Sequence, residues 1–170
     1  MAKGLSCIAA IACFAAIMLT SCTSLNKSGT FEVETGDSVK VTVDAKSGYD
    51  LSLDVPFVIS KDGDQIFSGT FLYQEYYDDY RDAFDAEPSA ELVAEGEKDG
   101  NEYFAFTVGG ECDYLVKVAD SNTAIMLSST AGADAAQQTF ESITIEKTCA
   151  SEAIWLSWRR PKTYCGVEQG

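Results

Sequence analysis

Glu75-Tyr76-Tyr77-Asp78-Asp79-Tyr80-Arg81-Asp82-Ala83-Phe84-Asp85-Ala86 is the stretch on which the fold class turns. It interrupts a chain whose apolar residues elsewhere alternate with a period of two. Tyr76, Tyr80 and Phe84 (or Ala83) recur at three- and four-residue spacing, the signature of an amphipathic helix with one apolar stripe. Asp78 and Asp79 suit the positive end of the helix dipole. Glu87-Pro88 is the exit, because the residue before a proline is pushed out of the helical region. On this spacing Tyr76 and Tyr80 face the core. Tyr77 faces solvent, which makes it the candidate ligand contact of the aromatic set Tyr73, Tyr76, Tyr77 and Tyr80.

Strands surround this helix on both sides. Upstream, Phe31 and Val33, then Val39, Val41 and Val43, alternate with polar residues and are joined near Gly36-Asp37. Tyr49, Leu51, Leu53 and Val55 repeat the pattern after Ser47-Gly48, and Pro56 ends it. Phe57 to Lys61 and Gln65 to Tyr73 flank Asp62-Gly63, a pair that tolerates the positive φ angles of a type I′ hairpin turn. Downstream, Asp99-Gly100 repeats that signal between Leu92 to Lys98 and Glu102 to Val108. Tyr114, Val116 and Val118, then Ile125 and Leu127, extend the strands. A second helix is predicted over Ala135 to Ser142, with Asp134 as its cap and Ala136, Phe140 and Ile143 on one face, before Thr144 to Lys147 returns to strand.

Hairpin-joined strands are antiparallel, so the expected class is α+β: an antiparallel sheet flanked by two or more helices. The alternative is an all-β sandwich with one helical insertion. The order of elements resembles the PsbP-like domains, which include an extrinsic photosystem subunit, a nuclear-import factor and bacterial lipoproteins of unassigned role. The resemblance is carried by Pro56, by the aromatic-acidic helix and by Asp99-Gly100-Asn101-Glu102-Tyr103. Gln138-Thr139-Phe140-Glu141-Ser142-Ile143-Thr144-Ile145 matches the family's last helix running into its last strand. The Gly-Trp that the family carries soon after the early proline is absent. The resemblance covers residues 31–147 and brings no catalytic set.

The first 22 residues address the question of place. Lys3 precedes an apolar run from Cys7 to Leu19, shorter than the ~20 residues that a membrane-spanning helix needs. Leu19-Thr20-Ser21-Cys22 resembles the lipobox of bacterial lipoproteins. That implies a signal peptide over 1–21, acylation of the Cys22 thiol and a palmitate-type anchor in the cell membrane, extracytoplasmic face. Two or more acyl chains suffice for stable anchoring. Residues 22–30 then form the lipidated cysteine and a polar tether, 31–147 the folded domain and 148–170 a C-terminal tail.

Residues 23–147 hold 25 acidic side chains against 8 basic ones, a balance of −17. This argues against nucleic acid as a partner, which needs a cationic surface, and keeps the body clear of an anionic lipid surface. The chain has no histidine, which removes Ser-His and Cys-His nucleophile pairs, and Cys112 sits between Glu111 and Asp113, charges that disfavour its thiolate. The expectation is a non-catalytic binding or adaptor domain, with an unknown protein or cell-envelope component as partner. An envelope hydrolase ranks behind it.

A calcium- or carbohydrate-binding surface module is the alternative. Calcium takes about six to eight oxygen ligands, and Asp62, Asp64, Asp78, Asp79 and Asp82 offer carboxylates on a turn and a helix. Most acidic helix faces are simply solvated, and the spacing is not that of an EF-hand.

The tail differs in kind. Ile154, Trp155, Leu156 and Trp158 precede Arg159, Arg160 and Lys162, so both tryptophans of the chain and three cations follow a body of opposite charge. The tail reads as a partner or membrane contact, or as a flap with its aromatics on the body and its cations facing the acids. Cys149 and Cys165 are candidates for a disulfide closing a small loop around the tail in an oxidising compartment, although spacing does not fix the connectivity of the three remaining cysteines, Cys112 included.

Overall fold

The computed structural model describes residues 25–148. The chain runs β1 (Asn26–Glu32), β2 (Ser38–Asp44), a 3-10 turn (Ala45–Ser47), β3 (Tyr49–Leu51), β4 (Phe57–Lys61) and β5 (Asp64–Tyr73), then α1 (Tyr76–Ala86). It continues through β6 (Glu91–Lys98), β7 (Asn101–Val108), β8 (Glu111–Lys117), β9 (Thr123–Ser129), α2 (Ala133–Ser142) and β10 (Thr144–Thr148). Two antiparallel sheets result, a small one in the order β1-β2-β10 and a large one in the order β3-β4-β5-β9-β8-β7-β6. This is a sheet-dominated α+β arrangement with two helices. It is also compatible with a sandwich description, since Val39, Val41 and Val43 of the small sheet share a core with Phe57, Ile59 and Phe67 of the large one.

The hairpins form where their turn chemistry allows. Asp62 and Gly63 have φ of 53° and 94°, and Asp99 and Gly100 have 54° and 82°, the two positive angles of a type I′ turn. The right-handed twist of that turn matches the twist of the strands it joins.

Strand parity then distributes the core over both faces of the large sheet. On β8, Cys112, Tyr114 and Val116 point into the main core with α2, while Leu115 points into a second cluster beneath α1. The unbroken Tyr114-Leu115-Val116 run is the mark of a strand covered on both sides. Phe31, Phe57 and Phe71 bridge the two sheets, with ring centroids 5.1–5.4 Å apart. Gly69, opposite Phe57 in the register, leaves that ring its space. A Cβ at Gly69 would lie only 2.1 Å from the Phe57 ring.

Four expectations need correction. β1 begins at Asn26 and pairs along its whole length with β2, so Asn26 to Thr30 belong to the domain and not to the tether. Backbone pairing decides this, and polar side chains do not prevent it. β3 stops at Leu51, because Ser52 and Val58 close a loop there through mutual hydrogen bonds, which leaves Leu53 and Val55 exposed. α2 starts at Ala133 with Gly132 at its cap, and Asp134 lies in the first turn instead.

The fourth correction concerns α1, whose buried stripe is rotated by one residue. Tyr77 is 4% exposed and Tyr76 43%. Tyr77 meets Phe104 edge-on at 5.4 Å, and Phe84 lies 6.0 Å and 5.5 Å from Phe104 and Phe106. Arg81 completes this stripe and concealed it in the sequence. Its guanidinium sits 5.0 Å over the Phe104 ring and pairs with Glu95 at 2.6 Å, so a charged residue occupies an inward position through its stem and its planar head.

Among the described residues no helix is long and apolar enough to cross a membrane. Replacing Tyr77 with Ala opens a cavity under α1 and is expected to cost about 3–5 kcal/mol. Tyr76→Ala is expected to stay within about 0.5 kcal/mol. Urea denaturation of both variants checks the assignment, and a larger loss for Tyr76→Ala would overturn it.

Candidate functional site

One end of the sandwich gathers four connections: the 33–37 turn between β1 and β2, the 52–56 loop, the β5–α1 corner and the 118–122 turn between β8 and β9. Asp37 ties two of them together. Its side chain is buried at 7% exposure, and its Oδ2 accepts from the Asn122 backbone N–H at 2.7 Å and the Thr123 hydroxyl at 3.0 Å. Lys147 on β10 reaches Oδ1 at 3.1 Å, and Thr35 and Thr123 share a hydroxyl–hydroxyl bond of 2.6 Å. Asn122 in turn holds the β5–α1 corner, its carbonyl accepting from Gln74 N–H at 2.8 Å.

This scaffold frames an open cleft in two lobes that meet at Thr35 and Tyr73. The polar lobe, about 550 Å³, has Lys117 and Asn122 in its lining, with Glu75 and Asp78 from the start of α1. The apolar lobe, about 390 Å³, is lined by Val33, Val55, Phe71 and Leu72, with Glu32 and Glu34 beside them. Tyr73 stands between the lobes, 45% exposed, and meets Tyr76 edge-on at 6.4 Å. Val55 is 61% exposed. The lining thus combines exposed aromatic and aliphatic surface with four carboxylates and a single lysine among the residues named here.

The Asp37 carboxyl feels opposing influences. Burial pushes its pKa up, while the Asn122 N–H, the Lys147 ammonium and the Thr123 hydroxyl pull it down and prevail, so the net value is lowered. Tyr77, under α1, has its phenol pushed up to about 12, by burial first and then by Glu102. Cys112 is a free thiol buried in β8. Burial raises its pKa first and the Asp113 charge adds to it, so burial outranks the acidic neighbours that the sequence singled out.

The sequence-predicted residues are spread over the fold. Tyr77 is a core residue and not an exposed ligand contact, whereas Tyr73 is exposed in the cleft lining and Tyr76 is exposed beside it, outside that lining. Asp62 and Asp64 lie at the start of β5 and Asp78, Asp79 and Asp82 on α1 beyond its end, and ten residues of strand span roughly 33 Å. Of the five, Asp78 alone lines the cleft. Among the described residues no three Asp, Glu or Cys side chains gather as a metal ion would require. Cys22, Cys149 and Cys165 lie outside the described residues. The sequence reading missed Thr35, Asp37, Lys117 and Asn122. Gly36-Asp37 was legible only as a turn, and the partners that give Asp37 its role come from residues far along the chain.

Comparison with protein-family models, with curated proteins and with solved structures gives no match to this chain.

Asp37→Asn removes the charge from a site built with three donors and is expected to cost about 1.5–3 kcal/mol at neutral pH, the range for hydrogen bonds to a charged group. A carboxylate with a lowered folded-state pKa stabilises above its unfolded value, about 3.9 for aspartate, and that stability is lost as pH falls through the lowered value. The variant should therefore show a shallower acid limb in a plot of stability against pH. An acid limb of unchanged slope would remove Asp37 from this role.

Proposed function

We propose that the chain is a membrane-anchored, extracytoplasmic and non-catalytic binding module, which holds a protein partner or cell-envelope component in the Thr35–Tyr73 cleft. The observation that carries this reading is the cleft itself. Exposed Tyr73 and Val55 line it, with Tyr76 edge-on to Tyr73, on a frame that Asp37 and Asn122 tie by hydrogen bonds. Aromatic rings on a fixed frame suit stacking on a sugar ring or packing on an apolar side chain, with the hydroxyl left free to hydrogen-bond. The carboxylates at the rim favour a ligand that also carries positive charge.

Anchoring rests on Leu19-Thr20-Ser21-Cys22. The PsbP-like assignment is part of the same reading. It is supported by the order of elements from Pro56 through α1 and the Asp99-Gly100 hairpin to α2 running into β10.

Two experiments test the two halves. Cys22→Ser should abolish incorporation of labelled palmitate and release the protein from the membrane fraction, and label retained by the variant would refute the anchor. For the cleft, titration of peptidoglycan fragments and of basic peptides, followed by amide chemical shifts, should perturb residues 33–37 and 73–78. Tyr73→Ala should weaken that binding about tenfold, equivalent to 1.4 kcal/mol. Shifts confined to other surfaces would refute the cleft.

A further inference from the structure

The cleft lies beside the point at which the described chain ends. Thr148, the last residue of β10, is paired with Ser38 of β2, and Ser38 is paired on its other side with Glu32 of β1. A row of hydrogen bonds runs across these three strands. The Ser38 hydroxyl donates to Glu32 Oε1 at 3.0 Å, and the Thr148 hydroxyl donates to Ser38 Oγ at 3.0 Å. Glu32 lines the apolar lobe of the cleft. Thr148 is thus two strand spacings, about 10 Å, from the cleft's rim, and β10, antiparallel to β2, runs toward the 33–37 turn that forms it.

The residues after Thr148 carry the chemistry that complements the cleft. Ile154, Trp155, Leu156 and Trp158 supply apolar and aromatic bulk, and Arg159, Arg160 and Lys162 supply positive charge. The cleft offers exposed Val55 and Tyr73 with Glu32, Glu34, Glu75 and Asp78. Trp155 is seven residues beyond Thr148, a reach of roughly 23 Å of extended chain, which is sufficient to cross the rim.

We propose that residues Ile154 to Lys162 of the same chain occupy this cleft, the tryptophans against Tyr73 and Val55 and the cations against the rim carboxylates. An external ligand of the cleft then has to displace the tail, so the segment sets the ligand's apparent affinity and selects for ligands that carry both apolar surface and positive charge. The inference rests on the cleft being a binding site. Its test is separate, because it needs no external ligand.

Both tryptophans of the chain lie in the segment, so indole fluorescence reports on the tail alone. In the purified full chain in non-ionic detergent, emission should be blue-shifted from that of exposed indole and protected from acrylamide. Tyr73→Ala combined with Val55→Asp should abolish both effects while the far-ultraviolet circular dichroism stays unchanged. Glu34→Lys with Glu75→Lys, both at exposed positions, should do the same, and adding Arg159→Glu with Arg160→Glu should restore the blue shift. Emission typical of exposed indole in the unsubstituted chain would overturn the proposal, and so would a blue shift indifferent to the cleft variants, as for tryptophans resting in the detergent or a bilayer. A blue shift lost on dilution would assign the cleft to the tail of a second copy and equally overturn it.

Discussion

A buried carboxylate ties one end of this fold together. Asp37 is 7% exposed, and a carboxylate with so little access to water requires hydrogen-bond or charged partners in the fold. It is held by donors from two distant parts of the chain: the β8–β9 turn running into β9, through Asn122 and Thr123, and β10 through Lys147. Meeting that requirement places the small sheet against the large one at this end and sets the height of the 33–37 turn. Asn101 makes a comparable tie nearby, donating to the Ile145 carbonyl at 2.8 Å and accepting from the Ala119 N–H at 2.9 Å. Of the two ties, the Asp37 one borders the cleft through Asn122, whereas Asn101 lies away from its lining.

The apolar part of the structure shows the same division. The small sheet has little core of its own. It contributes Phe31, Val39, Val41, Val43 and Ile145 to a cluster otherwise built by the large sheet and α2. β2 pairs with β1 beside it in sequence and with β10 about a hundred residues later. Closing the small sheet thus joins strands about a hundred residues apart, and ordering of the intervening chain lowers the entropy cost of that closure. The Phe31, Phe57 and Phe71 rings form the seam where the sheets meet. Phe71 also lines the cleft, so packing and the candidate site share a residue.

What could be read from the sequence was local, and what could not was assembled from a distance. Asp62-Gly63 and Asp99-Gly100 announced their hairpins because the required φ angles belong to those two residue types. The α1 helix was visible from periodicity, yet its buried face was not. Counting tyrosines as the stripe placed Tyr76 and Tyr80 inside. The true stripe runs Tyr77, Arg81, Phe84 and passes through an arginine whose inward position depends on Phe104 and Glu95. Periodicity over Tyr49 to Val55 likewise promised a strand beyond Leu51, but a strand needs a partner, and Val58 had already turned back to bond Ser52. The cleft was the least legible feature. Thr35, Val55 and Asn122 belong to connections, and Tyr73 and Lys117 to strand ends, that neither motif nor spacing links, and topology alone brings them to one end.

The topology also bears on how an anchored chain would present the cleft. β1 enters at Asn26 paired with Asp44 and reaches the 33–37 turn only after Glu32 paired with Ser38, so the entry of the chain and the cleft lie at opposite ends of a seven-residue strand, roughly 23 Å long. Three residues separate Cys22 from Asn26, at most about 14 Å of extended chain. Acyl chains on Cys22 would hold the Asn26 end near the bilayer, and the cleft of a domain standing on that tether would face away from it. β10 delivers Thr148 to the far end as well. A Trp-Arg segment starting there has the acidic cleft within a few residues and the lipid surface a strand length away. The body carries −17 between residues 23 and 147, a charge that anionic lipid would repel. An anchor at Cys22, as proposed, would therefore place the membrane at one end of the described domain and the cleft at the other.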